Sequence, residues 1–393
     1  MGLSIFPTPS GGASYNSQPP ASASSVLLDG QLVNSGSISA SVTGTGAPWL
    51  LYANGAGSTT ITVGSDTYTV TAGSTVGTSA YTGSKSVSVA TTAIAPATFI
   101  VSTMPSAAYW QAVTYGNGYF VAVAPATTAG AYSTNGTTWT ASTMPNANQW
   151  SSLTYGNGYF IAVADTNVSA YSTNGTTWTA STMPSAGTWE SVSYGLIGAT
   201  NYFVAVAYGT TAGAYSTNGT SWTASTMPSS SSWYGVTYGN GKFVAVALST
   251  TAGAYSTNGT TWTASTMPSS QSWANVAYGN GYYVAVAIAT TAGAYSTNGT
   301  TWTASTMPNA SSWTSVTYGN GYFVAVAQST AVGAYSPNGT TWTANTMPSA
   351  APYKSITFGN NYFVTVGLFG ASAYFNSIIP VAYGIYNGAT VRA

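Results

Sequence analysis

Seven Met-Pro pairs pace the chain. Their methionines, Met104, Met144, Met183, Met227, Met267, Met307 and Met347, stand 40, 39, 44, 40, 40 and 40 residues apart, and with Met1 they are all 8 methionines of the 393-residue sequence. Between the pairs the text hardly changes: Ala-Tyr-Ser-Thr-Asn-Gly-Thr-Thr-Trp-Thr-Ala-Ser-Thr-Met-Pro fills residues 254–268 and again 294–308. A fixed period of this size makes each repeat one supersecondary unit, able to bury its apolar surface only against its neighbours.

The fifth copy shows what that unit is. Residues 273–278 read as a strand, a, with Val276 and Tyr278 on one face and Asn275 and Ala277 on the other. Gly279-Asn280-Gly281 supplies a turn. Residues 282–287, strand b, are apolar on both faces and are therefore sandwiched. Strand c follows at 293–296, Asn298-Gly299 makes a type I′ hairpin into strand d at 300–305, and Met307-Pro308 ends it because proline cannot donate to a ladder. Four antiparallel strands in about 40 residues is the size of a β-propeller blade. The competing β-solenoid has shorter coils that pair with each other and would not need two hairpins per repeat.

Six repeats carry the Asn-Gly hairpin, at Asn135, Asn174, Asn218, Asn258, Asn298 and Asn338. The seventh has strands a to c at 353–358, 362–367 and 372–376, then leaves the pattern, while residues 97–102 match strand d ahead of the first Met-Pro. Joining these orphans predicts an all-β chain with a seven-bladed β-propeller over residues 97–377, closed by an N-terminal strand that removes both exposed edges. Ahead of it, residues 1–24 read as an extended Pro/Gly/Ser arm, and 25–96 as a small β-sandwich-like attachment domain of short alternating strands, with hairpin turns at Asp29-Gly30 and Gly64-Ser65-Asp66. Residues 378–393 form a tail whose apolar run, 378–382, is expected to pack on the array or on a neighbouring subunit.

Charge narrows the function. Only 2% of residues are charged, against roughly 25% in ordinary proteins. The set is Asp29, Asp66, Asp165, Glu190, Lys85, Lys242, Lys354 and Arg392, with net charge zero, so no basic field attracts nucleic acid or anionic lipid. Cysteine and histidine are absent, which excludes disulfides, thiolate or imidazole metal sites and histidine-based catalysis; no cofactor is expected. No apolar run is long enough to span a bilayer, and the N-terminus lacks the features of a secretory signal. The Asn-Gly-Thr triplets are glycosylation sequons, read here as turn chemistry.

Ser-x-Asn-Gly-x-x-Trp, as at residues 256–262, resembles the Asp-box of sialidase-like (BNR) propellers, Ser-x-Asp-x-Gly-x-x-Trp, with Asn for Asp and one residue fewer. The resemblance spans residues 97–377 and implies fold, since the Asp-box is structural in that family. Sialidase chemistry would need an arginine trio, and the sole arginine is Arg392. Such repeats also resemble those of phage tail-fibre and spike proteins. Tryptophan opens strand a and stands on strand d in six blades, with Tyr353 and Phe99 in those places in the seventh, and the recurrence reads as packing.

Repeats differ after Met-Pro and after strand b, in loops that leave one face of a four-stranded antiparallel blade. Binding residues sit on such loops, which nominates Tyr109, Gln149, Asp165, Glu190, Tyr208, Tyr234, Gln271 and Gln328 as ligand-binding positions. The expectation is a non-enzymatic virion surface protein that attaches to other virion proteins through residues 1–96, forms a homo-oligomer and binds a host-surface glycan. A capsid-decoration or filament subunit is the alternative. A glycan hydrolase built on Asp165 and Glu190 ranks third.

Overall fold

The computed structural model describes residues 37–53, 58–71, 75–90, 99–328, 331–376 and 383–387. The arm at 1–24, the Asp29-Gly30 turn and the apolar run 378–382 lie outside the described residues. The chain divides into two compact units, residues 1–95 with 378–393, and residues 96–377.

In the first unit the described residues form one five-stranded antiparallel sheet, in the order Tyr383–Asn387, Ser37–Ala53, Thr75–Ala90, Ser58–Val63, Asp66–Thr71. The sequence predicts a sandwich of short strands here. The described strands are longer, and the ladder of the 17-residue Ser37–Ala53 takes register shifts between Thr45 and Leu50. The turn after Val63 is as expected: Val63 pairs with Asp66 across Gly64-Ser65, with Gly64 at φ 62°. From the tail, Tyr383–Asn387 pairs with Ser37–Ala53.

The second unit repeats one antiparallel four-strand pattern. Its first copy is Ala112–Gly116, Tyr119–Val123, Thr127–Ser133 and Thr140–Asn148, in that spatial order. The last is Tyr353–Gly359, Tyr362–Gly367, Ala371–Asn376 and then Ile100–Thr103, so the fourth strand comes from the other end of the array. Strand b is buried on both faces, as at Phe120, Val121, Ala122 and Val123.

Local chemistry explains the turns. Between strands a and b, Asn and Gly both take left-handed backbone, as at Asn117 (φ 47°) and Gly118 (φ 81°), the geometry of a two-residue type I′ hairpin. The third repeat lengthens this hairpin, with Leu196 and Ile197 pairing with Asn201 and Thr200. The c-to-d turn departs from the type I′ expectation. Only its glycine is left-handed, Gly136 at φ 73°, and Thr140 is the first paired residue of strand d. Here the side chains build the turn: Ser133 Oγ accepts from Gly136 N (2.9 Å), and Asn135 Oδ1 accepts from Thr137 N and Thr138 N (3.0 Å each). Met-Pro ends strand d in two repeats, after Thr103 and Thr346, but strand d runs through it in the other five. Thr179–Ile197 runs through Met183-Pro184 into the next strand a, and the proline falls where the ladder skips from Thr182 to Gly187.

One contact recurs between all neighbouring repeats. A Cβ added at Gly116 would lie 2.0 Å from Tyr155 Cγ, and Gly156 meets Tyr194, Gly195 Tyr238, Gly239 Tyr278, Gly279 Tyr318, and Gly319 Phe358 in the same way. Gly359 of the seventh repeat meets Tyr115 of the first. Hydrophobic clusters cross the same boundaries: Val364 and Val366 pack with Met104, Trp110, Phe120 and Trp139.

Candidate functional site

Each strand a opens on an aromatic that is fully buried: Trp110, Trp150, Trp189, Trp233, Trp273, Trp313 and Tyr353. Burying such a side chain stabilises the fold by about 3 kcal/mol. The indole N–H donates to the carbonyl four residues back, Trp110 to Ser106 O and Trp150 to Asn146 O at 3.2 Å, which holds the preceding loop. The strand-a tryptophans are thus packing residues. So are those of strand d, packed against the cluster of their own repeat.

Directly after this anchor the ladder skips one residue. Trp150 pairs with Ala164 and Ser152 with Val163, leaving Ser151 bulged; the same shift occurs at Glu190, Tyr234, Ala274, Thr314 and Lys354. A bulge re-aims its side chain. These six residues, with Gln111 in the first repeat, line a single cavity of about 210 Å³ to which every strand a contributes. The seven are all different, in repeats otherwise almost identical.

The next residue closes the wall. Ser152 Oγ accepts from Val192 N, Ser191 Oγ from Val236 N and Asn275 Oδ1 from Val316 N, each at 3.1 Å. Ser315 Oγ accepts from Ile356 N and Ser355 Oγ from Val113 N at 3.2 Å. Adjacent innermost strands are thereby tied side by side, while the bulged residues stay free to vary.

Electrostatics make the cavity asymmetric. Burial, and then the charge of Asp165, push the Glu190 carboxyl up to about 7. Burial pushes Tyr234 up to about 12, helped by Glu190 and then Tyr208. Asp165 is raised by burial, and Lys354 is lowered by it. Lys354 Nζ donates to Gln328 Oε1 at 2.7 Å. Among the described residues no group of His, Cys, Asp or Glu is arranged to hold a metal ion. The cavity offers a carboxyl, an ammonium, amides, hydroxyls and a phenol, a set suited to hydrogen-bonding a polar molecule.

Of the residues nominated from sequence, Glu190, Tyr234 and Gln328 line the cavity. Asp165 and Tyr208 do not, yet their electrostatic influence reaches Glu190 and Tyr234. Gln149, Gln271 and Tyr109 are elsewhere: the Gln149 carbonyl accepts from Asp165 N, Gln271 pairs with Thr250, and Tyr109 packs on Phe369. Gln111, Ser151, Thr314 and Lys354 were not nominated. Aligning the repeats on the strand-a aromatic exposes them, because the next column never repeats a residue.

No protein-family model matches the chain, and no curated protein matches it. Solved structures do. A streptogramin B lyase aligns with a TM-score of 0.63 at 13% identity, over 70% of this chain and 96% of that one. Virginiamycin B lyase from Staphylococcus aureus gives 0.64 at 12%, over 70% and 98%, and YCF48 bound to D1 peptide gives 0.59 at 13%, over 72% and 98%. The fold is a β-propeller. Identities this low carry no activity from those proteins to this one.

Proposed function

We propose that residues 99–376 form a closed ring of seven blades that binds a host-surface glycan, on a non-enzymatic virion surface protein of the tail-fibre or spike type. Closure is supported by the cycle of glycine-to-aromatic contacts that returns from Gly359 to Tyr115, and by the pairing of Ile100–Thr103 with Ala371–Asn376. The observation that carries the binding role is the set of seven different residues, six of them bulged, around one cavity. Variation at every inward-aimed position on a constant scaffold is the pattern of a recognition surface. Glycan fits a lining of hydroxyl, amide and phenol groups with one charge of each sign. The virion setting rests on the resemblance of the repeats and on the near-absence of charge; the N-terminal unit attaches to other virion proteins, and the whole assembles as a homo-oligomer.

The test is a glycan array probed with the labelled full-length protein, repeated with Gln111→Ala, Tyr234→Ala and Lys354→Met. Each substitution should weaken binding about tenfold, the value of one well-placed contact. Binding that ignores all three would overturn the cavity as the site. Release of reducing ends from a bound glycan would replace a lectin by a hydrolase. Glycan-independent assembly into an ordered lattice would favour the capsid or filament subunit.

A further inference from the structure

The seam between the seventh and first repeats carries a second feature outside the cavity. The turn after strand b places one residue in left-handed backbone in each repeat where that turn is described: Ala126 (φ 57°), Thr166 (69°), Gly209 (69°), Ser249 (56°), Ala289 (58°) and Phe369 (59°). Five are small. In the seventh a phenylalanine occupies the strained position, at a conformational cost that glycine would not carry.

Phe369 does not recover that cost in the core. It is 66% exposed, and its ring stands edge-on to that of Tyr109, itself 47% exposed, with centroids 5.0 Å apart and planes at 90°. Tyr109 is equally singular, because the corresponding residues are Gln149, Thr188, Ser232, Ser272, Ser312 and Pro352. Both loops are pinned by backbone bonds, Gly370 N to Ala108 O at 3.0 Å and Leu368 N to Pro352 O at 3.1 Å. Two aromatics found once each among seven repeats therefore meet in a rigid, exposed right-angled corner.

We infer that Tyr109 and Phe369 form a sugar-stacking subsite outside the cavity, which receives the apolar C–H face of a pyranose ring. Strain retained at an exposed position points to a ligand, since stability alone would favour a small residue there. The local segments, residues 106–109 and 368–370, carry no charge, so the occupant is neutral at this point. A sugar ring suits the corner because its C–H face can lie on one aromatic plane while its hydroxyls reach the Ser106 hydroxyl, loop carbonyls and water. This subsite rests on the glycan reading above and extends it from one sugar in the cavity to a chain crossing the seam.

Saturation-transfer NMR on the full-length protein tests it, with cellotetraose, a tetramer of N-acetylglucosamine and a proline-rich peptide as probes, and with Phe369→Gly, Tyr109→Ser and Glu190→Gln as variants. Phe369→Gly and Tyr109→Ser should each weaken the bound oligosaccharide five- to tenfold. Phe369→Gly should leave the melting temperature close to native, because relief of the left-handed strain offsets the chain entropy of glycine and the lost ring contact; loss of binding in an equally stable protein cannot be misfolding. Oligosaccharide binding that Glu190→Gln weakens and the two aromatic variants leave unchanged overturns the subsite but keeps the glycan reading. Transfer to the peptide alone, or to no probe, overturns both.

Discussion

Four buried hydroxyls, Ser142 Oγ, Ser225 Oγ, Ser265 Oγ and Ser305 Oγ, lack a hydrogen-bond partner among the described residues. Each faces a glycine across the c–d ladder: Gly130, Gly213, Gly253 and Gly293. The second and seventh repeats solve the same problem, because Ser169 faces Ser181 and Ser372 faces Ser102, with hydroxyls 2.6 Å apart in both pairs. Gly253→Ser should therefore stabilise the protein. The new bond contributes about 1 kcal/mol net, and replacing a strand glycine adds about 0.5–1 kcal/mol through the unfolded chain. Subtracting a few tenths for ordering two hydroxyl rotors leaves roughly 1–1.5 kcal/mol. Gly253→Ala is the control: its methyl would sit 2.7 Å from Ser265 Oγ, forcing that hydroxyl to turn without giving it a partner. Urea unfolding should place the serine variant's midpoint above native and the alanine variant's at or below native, with thermal midpoints a few degrees apart. An alanine variant as stable as the serine variant would show that backbone entropy, and not the orphaned hydroxyl, governs this position, and would refute the reasoning.

Gly239→Ala should destabilise by about 3 kcal/mol in the same assay, because the added methyl would lie 2.0 Å from Tyr278 Cγ where neighbouring repeats meet. The Glu190 carboxyl is raised from 4.5 to about 7, so the folded state holds its proton more tightly than the unfolded chain. Its favourable contribution is complete below pH 4.5 and is lost as pH rises to about 7. Glu190→Gln should accordingly gain up to about 3 kcal/mol over native at pH 8 and nothing at pH 4, checked by urea midpoints across that range. A chain starting at residue 106 leaves Ala371–Asn376 without its neighbour Ile100–Thr103. It should self-associate in size-exclusion chromatography, and a synthetic peptide of residues 96–105 should return it to the native elution volume.

The repeat's strand count and its both-face-buried strand b were legible because they follow from period-two alternation and turn residues. The errors share a cause, which is that one dipeptide serves several geometries. Asn117-Gly118 is a type I′ turn, yet Asn135-Gly136 is not, since Ser133 and Asn135 cap the backbone with side-chain bonds that dipeptide statistics do not contain. Pro184 looked like a strand end, but a register shift gives it a place with no ladder bond to make.

A second register shift, the one after the buried aromatic of strand a, hid most of the candidate site. Alternation counts residues, and a bulge adds one without marking it, so nothing in the run Trp-Glu-Ser-Val at residues 189–192 says that Glu190 leaves the ladder. Physically, the skip separates two demands. Trp189 must fill the core, and Ser191 must accept from Val236 N in the next repeat, so neither can change cheaply. Glu190 between them pairs with nothing across the ladder and can be replaced without disturbing either bond. Glutamine, serine, tyrosine, alanine, threonine and lysine all stand at the equivalent position in the other repeats, as this freedom requires. The scaffold therefore tolerates change where a side chain is aimed into the cavity, and recognition can diversify there without breaking the buried anchor or the bond between repeats.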